Sequence, residues 1–310
     1  MKDVRLSVVI ANYNHGHFLK ERIQSILDQL KENDEILIID DASTDDSVDI
    51  INRFVSRDFR VRLMRNEKNL GVIKSANRVI QASRGKYVAS LSADDRILPG
   101  FIEQTMKILE DNPTVPLCCS NCAEWFDDVP DKDPDKIYSQ LSIQGVTVPK
   151  IFSAQEIIDV FFRTNFWIPG HTAIVKKDLL LQYGGLNEEL GPFCDWFLLH
   201  SIALDHGAAY LPQNLSVWRR NVGCYSSVTD KRKIDQAEMN LFRAAAANRK
   251  KFRSSGLMWW YIRKRLLQLC IFPKYWDFIA VIVCRSLYKK YGKILRFFAK
   301  QGFFKMRRGG

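Results

Sequence analysis

The first 95 residues alternate between short apolar runs and segments in which apolar residues recur at helical spacing. The apolar runs lie at 6–11, 35–39, 61–64 and 88–93, and only short polar links separate them from the helical segments. Continuous apolar runs of this length are typical of strands covered on both faces. Strands that alternate with helices through short links predict a doubly wound, mostly parallel sheet flanked by helices, which is an α/β fold.

Chemically reactive side chains follow three of these predicted strands. Tyr13 follows the first strand, Asp41 follows the second, and Asp94 and Asp95 follow the fourth. Doubly wound sheets bind ligands beyond the carboxyl ends of their strands, so we expect these side chains to share one edge. Neither a G-x-G-x-x-G fingerprint nor a P-loop follows the first strand. A diphosphate bound here would therefore be held by a metal instead of a glycine-rich loop.

Asp94 and Asp95 are adjacent carboxylates at the end of a buried strand. Like charges repel and each must stay hydrated, so the pair is unfavourable unless a cation offsets it. Mg²⁺ or Mn²⁺ is typically held by one or two protein carboxylates together with substrate phosphates. The alternative is a solvated turn in which one acid caps the next helix. The two other loops at the same edge favour a metal site.

The charge of the chain is distributed unevenly. Residues 231–310 contain 21 Lys and Arg against three acidic residues, whereas residues 1–230 contain 25 basic and 32 acidic residues. The mildly acidic body argues against nucleic acid as a partner. Aromatic residues at 259–261 and basic residues at 263–265 predict a basic amphipathic helix on an anionic membrane surface. The alternative is a helical lid with a solvated basic face. The apolar run at 278–284 is too short to span a bilayer.

The cysteines and the N-terminus indicate a cytosolic protein. The chain contains seven cysteines, an odd number that favours reduced thiols. Cys119 and Cys122 have C-x-x-C spacing beside Cys118, but no second pair completes a zinc site, so we expect structural cysteines. No apolar signal-peptide region follows the N-terminus.

The middle of the chain, at about 113–225, is less regular. A strand is predicted at 115–122 and another at 210–219, with a helix at 153–163 between them. A strongly apolar helix begins near Cys194 and carries Asp195 in its first turn, where the helix dipole favours a negative charge. We divide the chain into a catalytic domain at 1–227, with halves at 1–112 and 113–227, and a basic helical extension at 228–310.

Seven short motifs occur together in order between about residues 5 and 225. They are S-V-V-I-A-N-Y-N at 7–14, I-D-D-A-S-T-D at 39–45, N-L-G at 69–71, A-S-R-G-K-Y at 82–87, S-A-D-D at 92–95, G-G-L-N-E at 184–188 and C-D-W at 194–196. In this combination the chain resembles the family 2 glycosyltransferases, which have the GT-A fold. The resemblance implies a GT-A (Rossmann-like) sheet, a nucleotide-sugar donor and transfer with inversion at the anomeric carbon.

The resemblance also implies roles for the residues that follow the strands. Tyr13 stacks on the base, Asp41 accepts its ring N–H, and Asp94 lies near the ribose. Asp95 binds a divalent cation, Mn²⁺ or Mg²⁺, that bridges the diphosphate. Further donor contacts are assigned to Ala11 and Lys74. The first acid of the usual D-x-D motif is absent, because Ala93 stands at that place.

Asp195 matches the catalytic base of the family, which takes a proton from the acceptor hydroxyl. The alternative from its position is an acid that only stabilises the start of a helix. Weaker candidates for the site are Trp167, His171, Trp196, Arg219 and Arg220. Trp167 is equally compatible with packing within its loop, and a lone histidine is usually structural.

The predicted activity is therefore transfer of one sugar, with a UDP-sugar favoured, to a hydroxyl of a glycan or lipid-linked acceptor. We expect a bacterial surface-glycan enzyme in the cytoplasm, peripheral at the inner face of the plasma membrane. A processive synthase is disfavoured because the chain lacks a Q-x-x-R-W element. Two alternatives remain open: a catalytically inactive relative that binds sugar nucleotides, and a nucleotidyltransferase, although the expected Gly-rich basic loop after the first strand is missing.

Overall fold

The computed structural model describes residues 3–126, 140–143, 145–164, 168–220 and 231–247. These residues form a ten-stranded mixed sheet with helices packed on it. The strands are β1 (Leu6–Asn12), β2 (Glu35–Asp40), β3 (Val61–Arg65), β4 (Tyr87–Ser92), β5 (Arg96–Ile97), β6 (Leu117–Phe126), β7 (Gln140–Leu141), β8 (Lys150–Phe152), β9 (Ala173–Lys176) and β10 (Ala208–Arg220). The helices are α1 (Gly16–Leu27), α2 (Ser47–Val55), α3 (Val72–Ala82), α4 (Phe101–Asp111), α5 (Ala154–Thr164), α6 (Lys177–Gln182), α7 (Cys194–His206) and α8 (Lys231–Ala247).

The sheet confirms the predicted α/β class. Its main path runs β3-β2-β1-β4-β9-β6-β10-β5, with β7 paired to β6 and β8 paired to β10. Within the described residues, the six longest strands point in the same direction, and the short strands β5, β7, β8 and β9 run against them. The strands and helices predicted up to β4 are present, with ends that differ from the prediction by a few residues at most.

Apolar side chains on both faces of the sheet explain why the helices pack there. On one face, Val8 and Ile10 of β1 pack with Leu19, Ile23 and Ile26 of α1. On the other face, side chains of β1 and β2 pack with helices α3, α6 and α7. The strands β1 and β2 are buried almost throughout, as continuous apolar runs predict.

The strand register places the ends of β1, β2 and β4 side by side. Asn12 pairs with Asp40, and Ala11 pairs with Ser92. The loops that follow these strands therefore begin at one edge of the sheet, which is the edge predicted to bind a ligand.

Helix α8 belongs to the predicted C-terminal extension and packs on the catalytic body. Ala237 and Leu241 are buried, and the Asn240 side-chain amide donates to the Glu189 carbonyl at 2.8 Å. Contacts divide the chain into units at 1–258 and 259–310, and the second unit lies outside the described residues. The division predicted at 227/228 stays a prediction. In the part of the chain that the structure describes, no helix is long and apolar enough to cross a membrane.

Candidate active site

The loops after β1 and β2 are joined by a buried polar network. The Asn12 side-chain amide donates to Asp40 Oδ1 at 3.0 Å and to Ser43 Oγ at 3.2 Å. Ser43 Oγ in turn accepts the backbone amide of Asn14 at 3.0 Å. The network fixes the loop that carries Tyr13, whose side chain is 43% exposed. Because its ring lies partly exposed after the end of β1, Tyr13 is available to stack on a planar ligand.

Asp41 is a buried carboxylate that organises a third loop. Its Oδ1 accepts the backbone amide of Leu70 at 2.8 Å and the side-chain amide of Asn66 at 2.6 Å, and its Oδ2 accepts the backbone amide of Gly71 at 2.8 Å. Asp41 therefore holds the N-L-G motif against the end of β2 before any ligand binds. The sequence suggested a ligand contact for this residue but not this structural role.

Asp94 and Asp95 follow β4 after one intervening residue, Ala93, and are both buried. Asp94 accepts a hydrogen bond from Ser92 Oγ, and Asp95 Oδ1 accepts the backbone amide of Arg219 at 3.1 Å. Burial raises the pKa of Asp95, and the charge of Asp94 adds to this rise, whereas His171 and Arg22 oppose it. A cation beside Asp95 would offset the repulsion between the two carboxylates.

His171 has Asp95 on one side of its ring and Cys122 on the other. Its Nδ1 is 3.6 Å from Asp95 Oδ2, and its Nε2 is 3.1 Å from Cys122 Sγ. Burial by itself lowers the pKa of His171, but Cys122, Asp95 and Asp195 together raise this pKa to about 9. The imidazole is therefore protonated at neutral pH, and its positive charge interacts with both Asp95 and Asp195.

Asp195 is the first-turn acid of α7, as predicted. Its Oδ1 accepts the backbone amide of Trp196 at 2.7 Å, and its Oδ2 accepts the backbone amide of Gly170 at 3.1 Å. Burial raises the pKa of Asp195, although these hydrogen bonds and His171 act in the opposite direction. A partly desolvated carboxylate of this kind binds a proton more readily than an exposed one, which suits a general base.

The other candidate residues lie at different distances from this centre. Arg219 is beside Asp95, with its guanidinium carbon 4.4 Å from the centre of the Phe18 ring. Lys74 is exposed in the first turn of α3 and lies 3.4 Å from the Glu188 carboxylate. Trp196 is a buried member of the apolar core, with its ring 4.5 Å from that of His200.

The side chains of two candidates, Trp167 and Arg220, are not described, and a third candidate, Ala11, is partly buried. Trp167 falls outside the described residues, and for Arg220 only the backbone, at the end of β10, is described. Ala11 is partly buried at the end of β1.

Three residues of the site were missed by sequence reasoning. Gly170 contacts Asp195, and no local pattern marks it. Cys122 contacts His171, but its C-x-x-C spacing led only to the prediction of a structural cysteine. Arg22 lines a small cavity together with Asp94 and Asp95. Its position could have been found, because it is a charged residue three positions after Leu19, on the apolar face of α1.

The donor set fits a divalent cation that is shared with a substrate. Within the described ranges, no three His, Cys, Asp or Glu side chains converge as a ready-made metal site. Asp95 nevertheless offers a buried carboxylate at the sheet edge beside a second acid, Asp94. Mg²⁺ and Mn²⁺ are commonly bound by one or two carboxylates and by phosphate oxygens, so the residues fit a cation that arrives with a diphosphate.

Comparisons with known proteins agree with this fold. The sequence model described as glycosyl transferase family 2 matches residues 7–181, more than half of the chain. The chain belongs to this family. An uncharacterised glycosyltransferase of Methanocaldococcus jannaschii is 30% identical over 204 residues, which cover 65% of this chain and 66% of that relative. The chain thus matches slightly less than two thirds of the relative's length.

Solved structures share the fold at low identity. S. aureus TarS 1–349 in complex with UDP-GlcNAc has a TM-score of 0.59 and 14% identity, and the match covers 78% of this chain and 66% of that chain. The mannosyltransferase PcManGT from Pyrobaculum calidifontis, in complex with GDP-Man and Mn²⁺, has a TM-score of 0.54 and 18% identity. This match covers 77% of the present chain and 64% of the mannosyltransferase chain. These similarities confirm the predicted GT-A fold.

Proposed function

We propose that the chain is an inverting glycosyltransferase that moves one sugar from a nucleotide-sugar donor to a hydroxyl of a glycan or lipid-linked acceptor. The observation that supports this most is that two carboxylates, buried Asp95 and partly buried Asp195, both interact with His171 at the ligand-binding edge of the sheet. The two carboxylates come from separate parts of the chain. Asp95 is suited to bind a cation, and Asp195 is suited to accept a proton.

The donor is assigned to the loops after β1, β2 and β4. Tyr13 stacks on the base, and Asp41 accepts its ring N–H beside the loop that this carboxylate already organises. Asp94 lies near the ribose, and Ala11 and Lys74 complete the donor contacts. A UDP-sugar is favoured. TarS in complex with UDP-GlcNAc and PcManGT in complex with GDP-Man and Mn²⁺ support a nucleotide sugar and a divalent cation.

The transfer step is assigned to Asp195. As the acceptor oxygen bonds to the anomeric carbon, the bond from this carbon to the diphosphate breaks and the nucleoside diphosphate leaves. Asp195 takes the proton of the attacking hydroxyl, and its raised pKa makes it the better base. The charge of His171 lowers the pKa of Asp195 and so opposes the rise that burial causes. A divalent cation at Asp95, when bound, stabilises the negative charge that develops on the diphosphate.

A first experiment tests the base. Asp195→Asn is expected to bind UDP and Mn²⁺ like the wild type and to lose transfer by about 10³-fold or more, because the amide cannot accept the proton. Asp178→Asn is the matched control, because Asp178 is also a first-turn helix acid but is exposed in α6. Full activity of Asp195→Asn would remove this residue from the mechanism.

A second experiment identifies the donor. UDP-, GDP- and dTDP-sugars are screened for slow hydrolysis with Mn²⁺, and the same nucleotides are tested for thermal stabilisation. We expect stabilisation by UDP that depends on Mn²⁺ and is lost in Asp95→Asn. If no nucleotide stabilises the protein, the proposal of a nucleotide-sugar donor is contradicted.

We further propose that the protein is cytoplasmic and peripheral at the inner face of the plasma membrane, with the basic extension at 228–310 as its contact. Support comes from the 21 Lys and Arg residues in 231–310, set against three acids. The part of the extension in α8 packs on the catalytic body through Leu241, so the proposed contact falls on the remainder. Vesicles with anionic lipid should bind the full chain at low salt and release it at high salt. Equal recovery in the soluble fraction with neutral and anionic vesicles would contradict the proposal.

A further inference from the structure

The turn from Pro169 to Thr172 contacts both carboxylates of the proposed mechanism. The backbone amide of Gly170 donates to Asp195 Oδ2 at 3.1 Å, and His171 Nδ1 lies 3.6 Å from Asp95 Oδ2. Asp95 follows β4, whereas Asp195 begins α7, a hundred residues further along the chain. Successive residues of one short turn therefore touch the two groups whose spacing decides whether transfer is possible.

Internal hydrogen bonds hold the turn in one shape. The backbone amide and the hydroxyl of Thr172 both donate to the Pro169 carbonyl, at 3.0 and 2.8 Å. The Thr172 side chain is fully buried. The turn leads directly into β9, which lies between β4 and β6 in the sheet. The turn is thus anchored to the strand that precedes Asp95.

The imidazole of His171 is held at both nitrogens. Cys122 Sγ lies 3.1 Å from Nε2, while Asp95 lies on the Nδ1 side. The hydrogen bond to Cys122 and the attraction to Asp95 act on opposite sides of the ring and favour one orientation, which joins the turn to Asp95.

Position 170 has no room for a side chain. A Cβ built on Gly170 would lie 2.4 Å from Asp195 Oδ2 and 3.2 Å from Asp195 Cβ and Cγ. The requirement for glycine therefore arises from the close approach of the carboxylate to the backbone. Any larger residue must push Asp195 away by about 1 Å, because non-bonded carbon and oxygen atoms need more than 3 Å.

We propose that the Pro169–Thr172 turn is a positioning element that sets the spacing between the base Asp195 and the metal carboxylate Asp95. Gly170 and Thr172 are its positioning residues: Gly170 holds the base through its amide and its missing side chain, and Thr172 locks the turn. This inference rests on the proposed function and explains how residues from distant parts of the chain reach a common geometry.

The test uses Gly170→Ala in the full chain, assayed with the nucleotide sugar that the wild type hydrolyses fastest. We expect kcat to fall by about 10- to 100-fold while KM for the donor and the affinity for UDP with Mn²⁺ change less than about threefold, because only the base is displaced. The acidic limb of the kcat–pH profile should move to higher pH, because Asp195 loses a hydrogen bond that lowers its pKa. A crystal structure of the variant should show the Asp195 carboxylate moved away from residue 170.

Two controls separate positioning from a loss of folding. Gly145→Ala controls for backbone strain without a clash at the base: Gly145 has a left-handed φ of 78° and nothing within 4 Å of its added carbon, so the variant should lose stability while its kcat stays near that of the wild type. Thr172→Val removes the hydrogen bond to Pro169 at nearly constant volume and should lower kcat several-fold, whereas Thr172→Ser should restore it. The Thr172 pair keeps the test decisive if Gly170→Ala does not fold.

The outcomes distinguish this inference from the proposed function. If Gly170→Ala keeps wild-type kcat while Asp195→Asn is inactive, the positioning role is wrong and the base assignment stands. If Asp195→Asn is active, the base assignment fails before the turn is considered. Equal kcat values for Thr172→Val and Thr172→Ser would also overturn the role of the turn.

Discussion

Replacement of Arg22 by methionine should stabilise the protein, although it removes a charged residue next to two carboxylates. Arg22 lies on the buried face of α1, and its side chain is 2% exposed. None of its three side-chain nitrogens has a hydrogen-bond partner among the described residues. A buried guanidinium that forms no hydrogen bonds loses its hydration without replacement.

The size of the effect follows from the pKa of Arg22. Burial lowers this pKa to about 10 from an ordinary value of about 12.5, despite the attraction of Asp95, Asp94 and Glu21. Because one pKa unit corresponds to about 1.4 kcal/mol, holding the charged group in the folded protein costs about 3 kcal/mol. Methionine has a similar length and a good helix propensity. We expect the free energy of unfolding to rise by about 1–3 kcal/mol, or Tm by about 2–4 °C per kcal/mol.

The assay is thermal and urea unfolding of the full chain without nucleotide. Arg96→Met is the matched control, because Arg96 lines the same cavity but its side chain is 35% exposed and lies 3.5 Å from Glu21. The control should change stability by less than about 0.5 kcal/mol. If Arg22→Met is less stable than the wild type, the attraction of the carboxylates outweighs the desolvation cost, and the reasoning is refuted.

Three further predictions concern other parts of the fold and site. Glu35 accepts hydrogen bonds from Ser7, Arg62 and Arg84, which lower its pKa although burial acts to raise it. The contribution of the ionised Glu35 to stability is therefore present above pH 4.5 and is lost as the pH falls through its lowered pKa in the folded protein. The free energy of unfolding of Glu35→Gln, measured in urea, should therefore depend less on pH below 4.5 than that of the wild type. Tyr13→Ala should weaken UDP binding by about 10- to 100-fold in calorimetry, which corresponds to the loss of one stacking contact between a base and an aromatic ring, and should leave Tm unchanged. An unchanged Kd for UDP would show that Tyr13 does not stack on the base. Asp41→Asn should lower the free energy of unfolding by about 2 kcal/mol or more, because the carboxylate accepts two backbone amides of the 66–71 loop. A variant as stable as the wild type would show that the loop does not need the Asp41 carboxylate.

The sequence predicts the first half of the fold well because its signals are local. The apolar runs of β1, β2 and β4 are each long enough to identify, and parallel strands necessarily bring Tyr13, Asp41 and Asp95 to one edge. The second half depends on long-range pairing. Strand β9 has four residues, Ala173–Lys176, and its place between β4 and β6 is decided by partners far along the chain.

That short strand determines the centre of the site. Because β9 lies next to β4, the turn before it brings His171 to Asp95 and Gly170 to Asp195. Sequence motifs identified the two aspartates separately but did not show what joins them. The contact through Gly170 depends on an absent side chain, which is a feature that residue chemistry alone does not reveal.

The balance of charge at this centre predicts that a divalent cation and UDP strengthen each other's binding. A divalent cation alone approaches Asp95 against the fixed charges of Arg22 and protonated His171, whereas UDP alone approaches the carboxylates of Asp94 and Asp95. Bound together, the cation and the diphosphate cancel much of this repulsion, so each should strengthen the binding of the other.

By thermodynamic linkage, Mn²⁺ must raise the affinity for UDP by the same factor by which UDP raises the affinity for Mn²⁺. We expect a factor of about ten or more, or 1.4 kcal/mol, in calorimetry of UDP with and without Mn²⁺ and in Mn²⁺ titrations followed by electron paramagnetic resonance. Equal UDP affinities with and without Mn²⁺ would show that the buried cations already neutralise the site and that the diphosphate binds there without a metal.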